Sequence, residues 1–508
     1  MNTPTRFLIR PSALALALWS LAQAAAAAPP PPPPGKPLPP AMTPTTLPAP
    51  PTPLRPAPQP PTPPAPPAAT TAPDTVVATT SGPSGAVNTA NPFFQPLGNG
   101  RSCASCHQPD QGWSITPTAL QKRFTDSSGN DPVFRLVDGA NSPAERTATL
   151  AQKQQAYGML LRYGVIRVGL PMPAVADFTL QQVEDPYGYA SAQELSLFRR
   201  PLPSTNLRFL STVMWDARET QTGTANCLKE PSPARCFADL PTDLLRQANN
   251  AVKGHAQFTP GLSNAQLQAI VDFESKLVTA KANSAAAGSL TANGALGGTA
   301  ALAATPFWFS INDPVAGDYR TGAPFNPNVF TLFNAWAPAF PGGPSPAGLT
   351  AAQAATGRGQ MIFNTRPMLI SGVNGFNDAL GKPVVKGTCS SCHNAPNVGG
   401  ASVPRLMNTG LSAAVLRTPD MPLYTLRNAA TGAVLQVTDP GLALQTGKWG
   451  DVGKLEVPGL RGLAARAPYF HNGHAPDLRA VVGFYDRRFG MGLSPQEAED
   501  LTAFLRAL

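Results

Sequence analysis

The chain has 508 residues, of which 60 are proline, and a formal net charge of +9 from 38 Lys and Arg against 29 Asp and Glu. The absence of a Gly-X-Y period excludes a collagen, and the abundance of Leu, Val and Phe excludes a fully disordered chain. No apolar run beyond the N-terminus approaches the roughly 20 residues of a membrane span, so no integral span is expected after signal cleavage. No Lys- or Arg-rich run indicates a nucleic-acid partner.

The first residues have the features of an export signal. Arg6 and Arg10 give a positive start, residues 13–22 form a short apolar core, and residues 22–24 read Ala-Gln-Ala, a small-x-small cleavage pattern. A retained membrane anchor is the alternative, but the apolar core is short. The sequence therefore predicts a signal peptide over 1–28 and a periplasmic protein.

Proline dominates the next segment, which includes the unbroken run 29–34. Such a chain cannot bury a core and adopts extended polyproline II conformations. We therefore expect a disordered linker over 29–80 that acts as a spacer or tether, rather than as a ligand for a proline-binding module.

Two motifs of identical pattern carry the clearest chemistry in the sequence. Each has two cysteines separated by two residues and followed by a histidine: Cys103, Cys106 and His107 in the first, and Cys389, Cys392 and His393 in the second. C-x-x-C-H is the attachment pattern of c-type haem, in which the thiols bind the porphyrin and the histidine is the proximal iron ligand. A zinc or redox CxxC pair is the alternative, which the histidine in both copies disfavours. The sequence therefore predicts two covalently bound haem c groups.

Two cysteines remain, Cys227 and Cys236, in a loop-like stretch. In an oxidising compartment a disulfide between them is the default. We expect a structural cross-link with no catalytic role.

Three helix starts carry a Ser or Thr that is followed three positions later by Gln or Glu, which is the capping-box pattern: Ser263, Thr350 and Ser494. Apolar residues at helical spacing follow Ser263 and Ser494. Strand-like runs are few, so the sequence predicts a mainly α fold with long loops.

The order of motifs and helices predicts two cytochrome c-like haem domains, an N-terminal one over 85–280 and a C-terminal one over 348–508. The connection over 281–347 begins with a low-complexity stretch, 283–305, which we expect to be a flexible insert. Its second part, 306–346, is rich in aromatic residues, and we expect it to wrap over a domain surface or to line a haem crevice.

Three stretches carry a resemblance to a known family. Residues 457–473, Val-Pro-Gly-Leu-Arg-Gly-Leu-Ala-Ala-Arg-Ala-Pro-Tyr-Phe-His-Asn-Gly, resemble the bacterial diheme cytochrome c peroxidase superfamily, which includes MauG and, more distantly, the rubber oxygenases. Residues 214–218, Met-Trp-Asp-Ala-Arg, look like the family's Trp-Asp-Gly-Arg element, and residues 244–248 resemble the element that follows it. The resemblance covers most of 90–508.

The resemblance implies a division of labour between the two haems. The haem on His107 would be the place where peroxide or oxygen reacts, and the haem on His393 would be a six-coordinate electron-transfer haem. Trp215 would relay electrons between them. A lone tryptophan is otherwise most often a packed core aromatic.

The resemblance also suggests the second axial ligand of the haem on His393. Fourteen residues after His471 the family's peroxidases hold a methionine and MauG holds a tyrosine; this chain has Tyr485. A phenolate ligand stabilises ferric and higher oxidation states, whereas methionine raises the potential. His474, Met491 and Met407 are the competing ligands. His471 is expected to be a hydrogen-bonding residue beside the haem rather than a ligand.

The first haem is expected to have an open iron. The chain has five histidines, and none lies between 108 and 254, where activation-dependent peroxidases carry a blocking histidine. Gln257 stands ten residues after Gln247, where the family's peroxidases hold a glutamate, and an amide cannot exchange a proton as a carboxylate does. His255 is either a substitute acid/base or a structural histidine at a helix end.

The family also holds a calcium ion between its two domains. The positions that match its ligands are Asn206 and the backbone carbonyls of Arg466 and Pro468. The Arg466 side chain replaces the usual threonine and brings a positive charge near the ion.

These observations predict an exported diheme oxidoreductase that reduces hydrogen peroxide with electrons from a small redox protein, a cytochrome c or a cupredoxin. One alternative is a diheme oxygenase that uses O₂ on an apolar substrate, which the aromatic segment 306–340 would suit. The other is a plain electron carrier, with both irons six-coordinate and His255 on the first.

Overall fold

The computed structural model describes residues 75–81, 85–220, 239–418 and 420–508. The predicted signal peptide, most of the Pro-rich linker, and both Cys227 and Cys236 lie outside these residues. Within the described ranges, no helix combines the length and the apolar character needed to cross a membrane.

The described helices, in chain order, are α1 (Pro117–Ser127), α2 (Leu150–Ala156), α3 (Gly158–Tyr163), α4 (Leu240–Gly254), α5 (Asn264–Lys276), α6 (Gly298–Ala304), α7 (Ala351–Thr365), α8 (Ala443–Thr446), α9 (Leu478–Phe489) and α10 (Pro495–Ala507). The predicted capping boxes are confirmed: Ser263, Thr350 and Ser494 are the N-caps of α5, α7 and α10, and each accepts a hydrogen bond from the backbone three residues on.

The described strands are β1 (Ala78–Ser81), β2 (Ile166–Leu170), β3 (Phe178–Glu184), β4 (Leu195–Arg199), β5 (Leu277–Ala280), β6 (Asn283–Ser284), β7 (Gly288–Ser289), β8 (Met368–Ser371), β9 (Val384–Gly387), β10 (Leu423–Asn428) and β11 (Val434–Val437). They form a three-stranded sheet, β11-β10-β3, and two-stranded ladders that pair β1 with β5, β2 with β4, β6 with β7 and β8 with β9.

The prediction of a mainly α fold was wrong, because only 32% of the residues are helical and 15% lie in strands of several small sheets. The physical reason is the distance between strand partners. β3 pairs antiparallel with β10, and β1 pairs with β5, so each partner lies about 200 residues or more away along the chain. Short strands that are completed by such distant partners carry little periodicity of their own.

The segment 281–347 contributes to the core, including the stretch 283–305 that we expected to be a flexible insert. Leu290 and Leu302, in the stretch predicted to be flexible, are fully buried. The aromatic residues Phe330 and Phe333 are also fully buried, and both rings pack edge-on against Phe504 of α10. Leucine and phenylalanine side chains of this segment are therefore part of the core.

Helices α7 and α10 cross at close range and support one side of the second haem motif. A Cβ atom at Gly359 would lie 2.0 Å from the Asp500 carbonyl oxygen, so only glycine permits this approach. Arg358 adds a bidentate ion pair to Asp500, at 2.7 and 2.8 Å.

Candidate haem cavities

The first Cys-x-x-Cys-His motif folds as a short turn that fixes its histidine. Ser102 and Ser105 cap this turn reciprocally, and the His107 backbone N–H donates to the Cys103 carbonyl at 3.0 Å. The His107 side chain donates from Nδ1 to the Trp113 carbonyl at 2.9 Å. Because a carbonyl only accepts, Nδ1 carries the proton and Nε2 keeps its lone pair.

Trp113 holds that carbonyl in place through a costly backbone conformation. Its φ is 61°, in the left-handed region that bulky residues rarely adopt. The fully buried indole packs edge-on against Phe93 and Phe273. Packing of the ring thus stabilises the turn that orients His107.

The second motif repeats this arrangement. Thr388 and Ser391 cap the turn, and His393 donates from Nδ1 to the Gly399 carbonyl at 2.6 Å. Burial lowers the pKa of His107 and of His393, which favours the neutral imidazole that binds iron.

Each motif borders its own cavity. His107 lines a cavity that is open to solvent. Cys389, Cys392 and His393 line a second cavity, whose other walls are mostly apolar. Burial raises the pKa of the thiols of Cys103, Cys389 and Cys392 to about 12.

The residues present fit a c-type haem at each motif. Two thiols stand one turn from an imidazole whose Nε2 is free, and the four motif cysteines are free of disulfides. This donor set would supply two thioether attachments and one axial nitrogen to a single porphyrin.

His255 lines the same cavity as His107 and is held by a carboxylate. Its Nδ1 lies 2.5 Å from Asp138 Oδ2, and Asp138 also binds Arg101 Nη1 through its other oxygen. Burial raises the pKa of Asp138, but the charges and hydrogen bonds of Arg101 and His255 have a larger opposite effect, so the pKa is lowered overall. The ionised Asp138 accepts the Nδ1 proton, so Nε2 is the ring nitrogen of His255 that this carboxylate leaves unengaged.

Gln257, the other residue predicted beside the first haem, lies outside this cavity. Its φ is 52°, and its exposed side chain accepts a hydrogen bond from Asn99 at 3.1 Å. The cavity contains a carboxyl from a different element, Glu274 at the end of α5. Burial raises the pKa of Glu274 to about 8, so this carboxyl is largely neutral at pH 7.

Trp215 stands in the wall that the two cavities share. Its Nε1 donates to the Arg200 carbonyl at 2.8 Å, and its own carbonyl accepts from the Glu456 backbone N–H at 2.9 Å. The buried Glu456 side chain lines both cavities, and burial raises its pKa to about 8. His471 lies behind Trp215, with ring centroids 6.3 Å apart, and lines neither cavity.

A buried ion network anchors the loop that carries Trp215. Arg199 donates to Asp216 at 2.6 Å and binds Asp439 in bidentate fashion at 2.7 and 2.9 Å. Arg218 also donates to Asp216, at 2.9 Å. Burial opposes ionisation of Asp216, but the two guanidiniums lower its pKa to about 2.

Three of the four candidate axial ligands reach the second cavity. Tyr485 on α9, Met407 and Met491 all line it. Burial raises the pKa of Tyr485, so the phenol is neutral unless a metal ionises it. His474 lies outside this cavity, next to a separate surface groove.

The residues expected to bind calcium do not fit that ion. The Asn206 amide is engaged in two hydrogen bonds with the Thr279 backbone, at 2.9 and 3.0 Å. The Arg466 carbonyl accepts from the guanidinium of Arg200 at 3.0 Å, and Pro468 lines the second cavity. The guanidinium of Arg200 therefore already occupies the Arg466 carbonyl oxygen that was expected to bind calcium. Among the described residues, no cluster of three His, Cys, Asp or Glu side chains could hold a metal.

Sequence reasoning missed Asp138, Glu274, Glu456 and Arg200. Asp138 is 117 residues from His255, so no local pattern could connect them. For Glu274 the sequence did hold a signal, because a glutamate on the otherwise apolar face of α5 indicates a buried carboxyl.

Comparisons with known proteins agree with the motif chemistry. The chain is 36% identical over 136 residues to cytochrome-c peroxidase IdrP2 of Denitromonas iodatirespirans, which covers 24% of this chain and 36% of that protein. It is 35% identical over 143 residues to IdrP1 of Pseudomonas sp. (strain SCT), covering 24% and 37%. The cytochrome c551 peroxidase of Pseudomonas aeruginosa is 29% identical over 121 residues, covering 24% and 30%.

The chain thus spans about a third of the length of the curated relatives it matches. No family model matches it. These matches relate a quarter of the chain to the diheme bacterial cytochrome c peroxidases.

Proposed function

We propose that this chain is an exported diheme c-type oxidoreductase that reduces hydrogen peroxide at a haem on His107 and delivers electrons through a haem on His393. The observation that carries the proposal is the pair of cavities, each bordered by one motif histidine, that share a wall containing Trp215. The similarity to cytochrome-c peroxidases supports the same chemistry.

A haem bound at His107 would supply the iron at which peroxide reacts. His255 serves as the acid/base of this cavity: its free Nε2 takes a proton from the bound peroxide and returns it to the leaving oxygen. Asp138 positions the imidazole by accepting its Nδ1 proton. Gln257 has no part in this step, because its side chain is turned to Asn99.

Electrons reach the first cavity by way of Trp215. The indole belongs to both cavity walls, and the buried network of Arg199, Asp216 and Asp439 fixes its loop. A rigid aromatic ring between two redox centres shortens the gap that an electron must cross. A small cytochrome c or cupredoxin in the periplasm would supply the electrons.

An absorption titration tests the proposal. One equivalent of H₂O₂, added to the fully haem-loaded ferric protein without prior reduction, is expected to change the spectra of both haems promptly. An open first iron that is coupled to the second haem accounts for this result. A protein that responds only after half reduction would require an activation step, and one that never responds would refute the proposal.

A second candidate function is electron transfer alone. It is favoured by the position of His255, which lines the same cavity as His107 and has a free Nε2 that could ligate the iron. Carbon monoxide and cyanide separate the two functions: an open iron binds them at the first haem, whereas a bis-histidine iron excludes them.

The axial ligand of the second haem can be assigned with three matched variants. We expect Tyr485→Phe to convert that haem to a high-spin form, because the phenolate oxygen is removed and the ring is kept. Electron paramagnetic resonance of the ferric protein measures the change. Met407→Leu and Met491→Leu serve as controls in the same cavity. A spectral change in either control with none in Tyr485→Phe would assign a methionine instead.

A further inference from the structure

Three arginines around the two cavities, two of them buried and one half-buried, form no ion pair with any residue that the structure describes. They are the buried Arg200 and Arg461 and the half-buried Arg466, and each donates hydrogen bonds to backbone carbonyl oxygens. A buried cation without a counter-ion is expensive. Such a group therefore indicates an anionic ligand.

Arg200 stands in the wall between the cavities and lines both of them. Nη1 donates to the carbonyls of Tyr163 and Gly164 at 3.1 and 3.2 Å, and Nη2 donates to that of Arg466 at 3.0 Å. A Cβ atom at Gly164 would lie 2.0 Å from Nη1, so a glycine makes room for the guanidinium. The surrounding chain is built to hold a cation at this point.

Arg466 lines both cavities as well, whereas Arg461 lines only the cavity of His107. Nη2 of Arg466 donates to the carbonyls of Gly459 and Arg461 at 3.0 and 3.1 Å. Nε of Arg461 is buried and has no partner.

Among the residues that the structure describes, no ionised carboxylate pairs with these groups. Burial and the neighbouring Arg466 lower the pKa of Arg200 to about 9. Burial lowers the pKa of Arg461 and of Arg466 to about 10, so all three arginines stay charged at pH 7. Glu456 is the acid that also lines both cavities, but burial raises its pKa to about 8 and leaves it largely neutral. Each haem carries two propionate carboxylates, which would neutralise the arginines.

We propose that Arg200 replaces the calcium ion which the family resemblance implies between the haems, and that Arg200 and Arg466 bind propionates of both haems. This inference rests on the proposed loading of both motifs with haem. The carbonyl of Arg466, an expected calcium ligand, is occupied by the guanidinium of Arg200. In this proposal the positive charge between the two haems is the guanidinium of Arg200 and not a bound calcium ion.

Metal analysis of the wild-type holoprotein is the first test. We expect two haems per chain by the pyridine haemochrome assay and no stoichiometric calcium by plasma mass spectrometry. EGTA should leave the spectra and midpoint potentials of both haems unchanged. One calcium per chain that EGTA removes with a spectral change would overturn the inference. Fewer than two haems would instead refute the proposed function on which it rests.

Spectroelectrochemical titration of variants is the second test. Arg200→Gln is expected to lower the midpoint potentials of both haems, because a positive charge stabilises the reduced, more electron-rich form. Arg461→Gln should lower the midpoint potential of the haem on His107 and leave that of the haem on His393 unchanged. Arg208→Gln is the control, since Arg208 is exposed and also donates to carbonyls. Unchanged midpoint potentials in Arg200→Gln would overturn the inference. Arg200→Lys keeps the positive charge and should therefore have the midpoint potentials of the wild type.

Discussion

Replacing His255 with alanine is expected to slow the reaction of the haem-loaded protein with hydrogen peroxide by about 10²–10⁴-fold, the usual contribution of a positioned general acid/base. The variant loses the Nε2 that exchanges protons with peroxide, while His107 and both thiols of the first motif remain. Stopped-flow absorption at several peroxide concentrations measures the second-order rate constant.

His474→Ala provides the control for this substitution. His474 is a partly buried histidine beside a separate surface groove, so its loss should leave the rate constant within about twofold. If His255→Ala reacts as fast as the wild type, His255 is not the acid/base. If it reacts faster and gains carbon monoxide binding, His255 is an iron ligand and the chain is an electron carrier.

Breaking the buried network behind Trp215 is expected to produce the largest loss of stability. Asp439→Asn removes the bidentate partner of Arg199 and leaves a buried guanidinium only partly paired. The free energy of unfolding should fall by about 3–5 kcal/mol, as is typical when one member of a buried ion pair is removed. Denaturant titration at pH 7 measures this loss.

The exposed pair of Lys122 and Asp126 provides the control. Their side chains are 75% and 59% exposed, so Asp126→Asn should change the free energy of unfolding by less than about 1 kcal/mol. A similar loss in both variants would show that the buried network has no special role.

The same network predicts how stability depends on pH. The pKa of Asp216 is about 2 in the folded protein, below the value of about 3.9 for an unfolded aspartate. A carboxyl with a depressed folded pKa stabilises the protein above its unfolded pKa, and this contribution is lost as the pH falls through the folded pKa. We therefore expect the stability difference between wild type and Asp216→Asn to hold above about pH 4 and to shrink towards pH 2.

What the sequence could predict was local in the chain. The Cys-x-x-Cys-His motifs and the capping boxes at Ser263, Thr350 and Ser494 span only a few residues, and the structure confirms the boxes. The fold class was wrong because it depends on strands such as β3 and β10, which complete each other across more than 200 residues.

The same limit applied to the site: residues close together in the sequence could be predicted, whereas contacts between distant residues could not. Counting ten residues from Gln247 led to Gln257, but a left-handed φ at that position turns its side chain to the surface. His255 does reach the cavity, while Asp138, which orients it, could be found only in three dimensions. Similarly, the sequence identifies Arg466 as a substitution but does not show that Arg200 lies against its carbonyl.

The three-stranded sheet limits how the chain can be divided. β10 is the central strand, with β11 on one side and β3, which precedes it by more than 200 residues, on the other. A fragment that begins after β3 would carry β10 with one row of backbone N–H and C=O groups unpaired. Unpaired edges of this kind recruit strands from other molecules. Truncation to the second haem motif alone would therefore convert an internal strand into a site of aggregation.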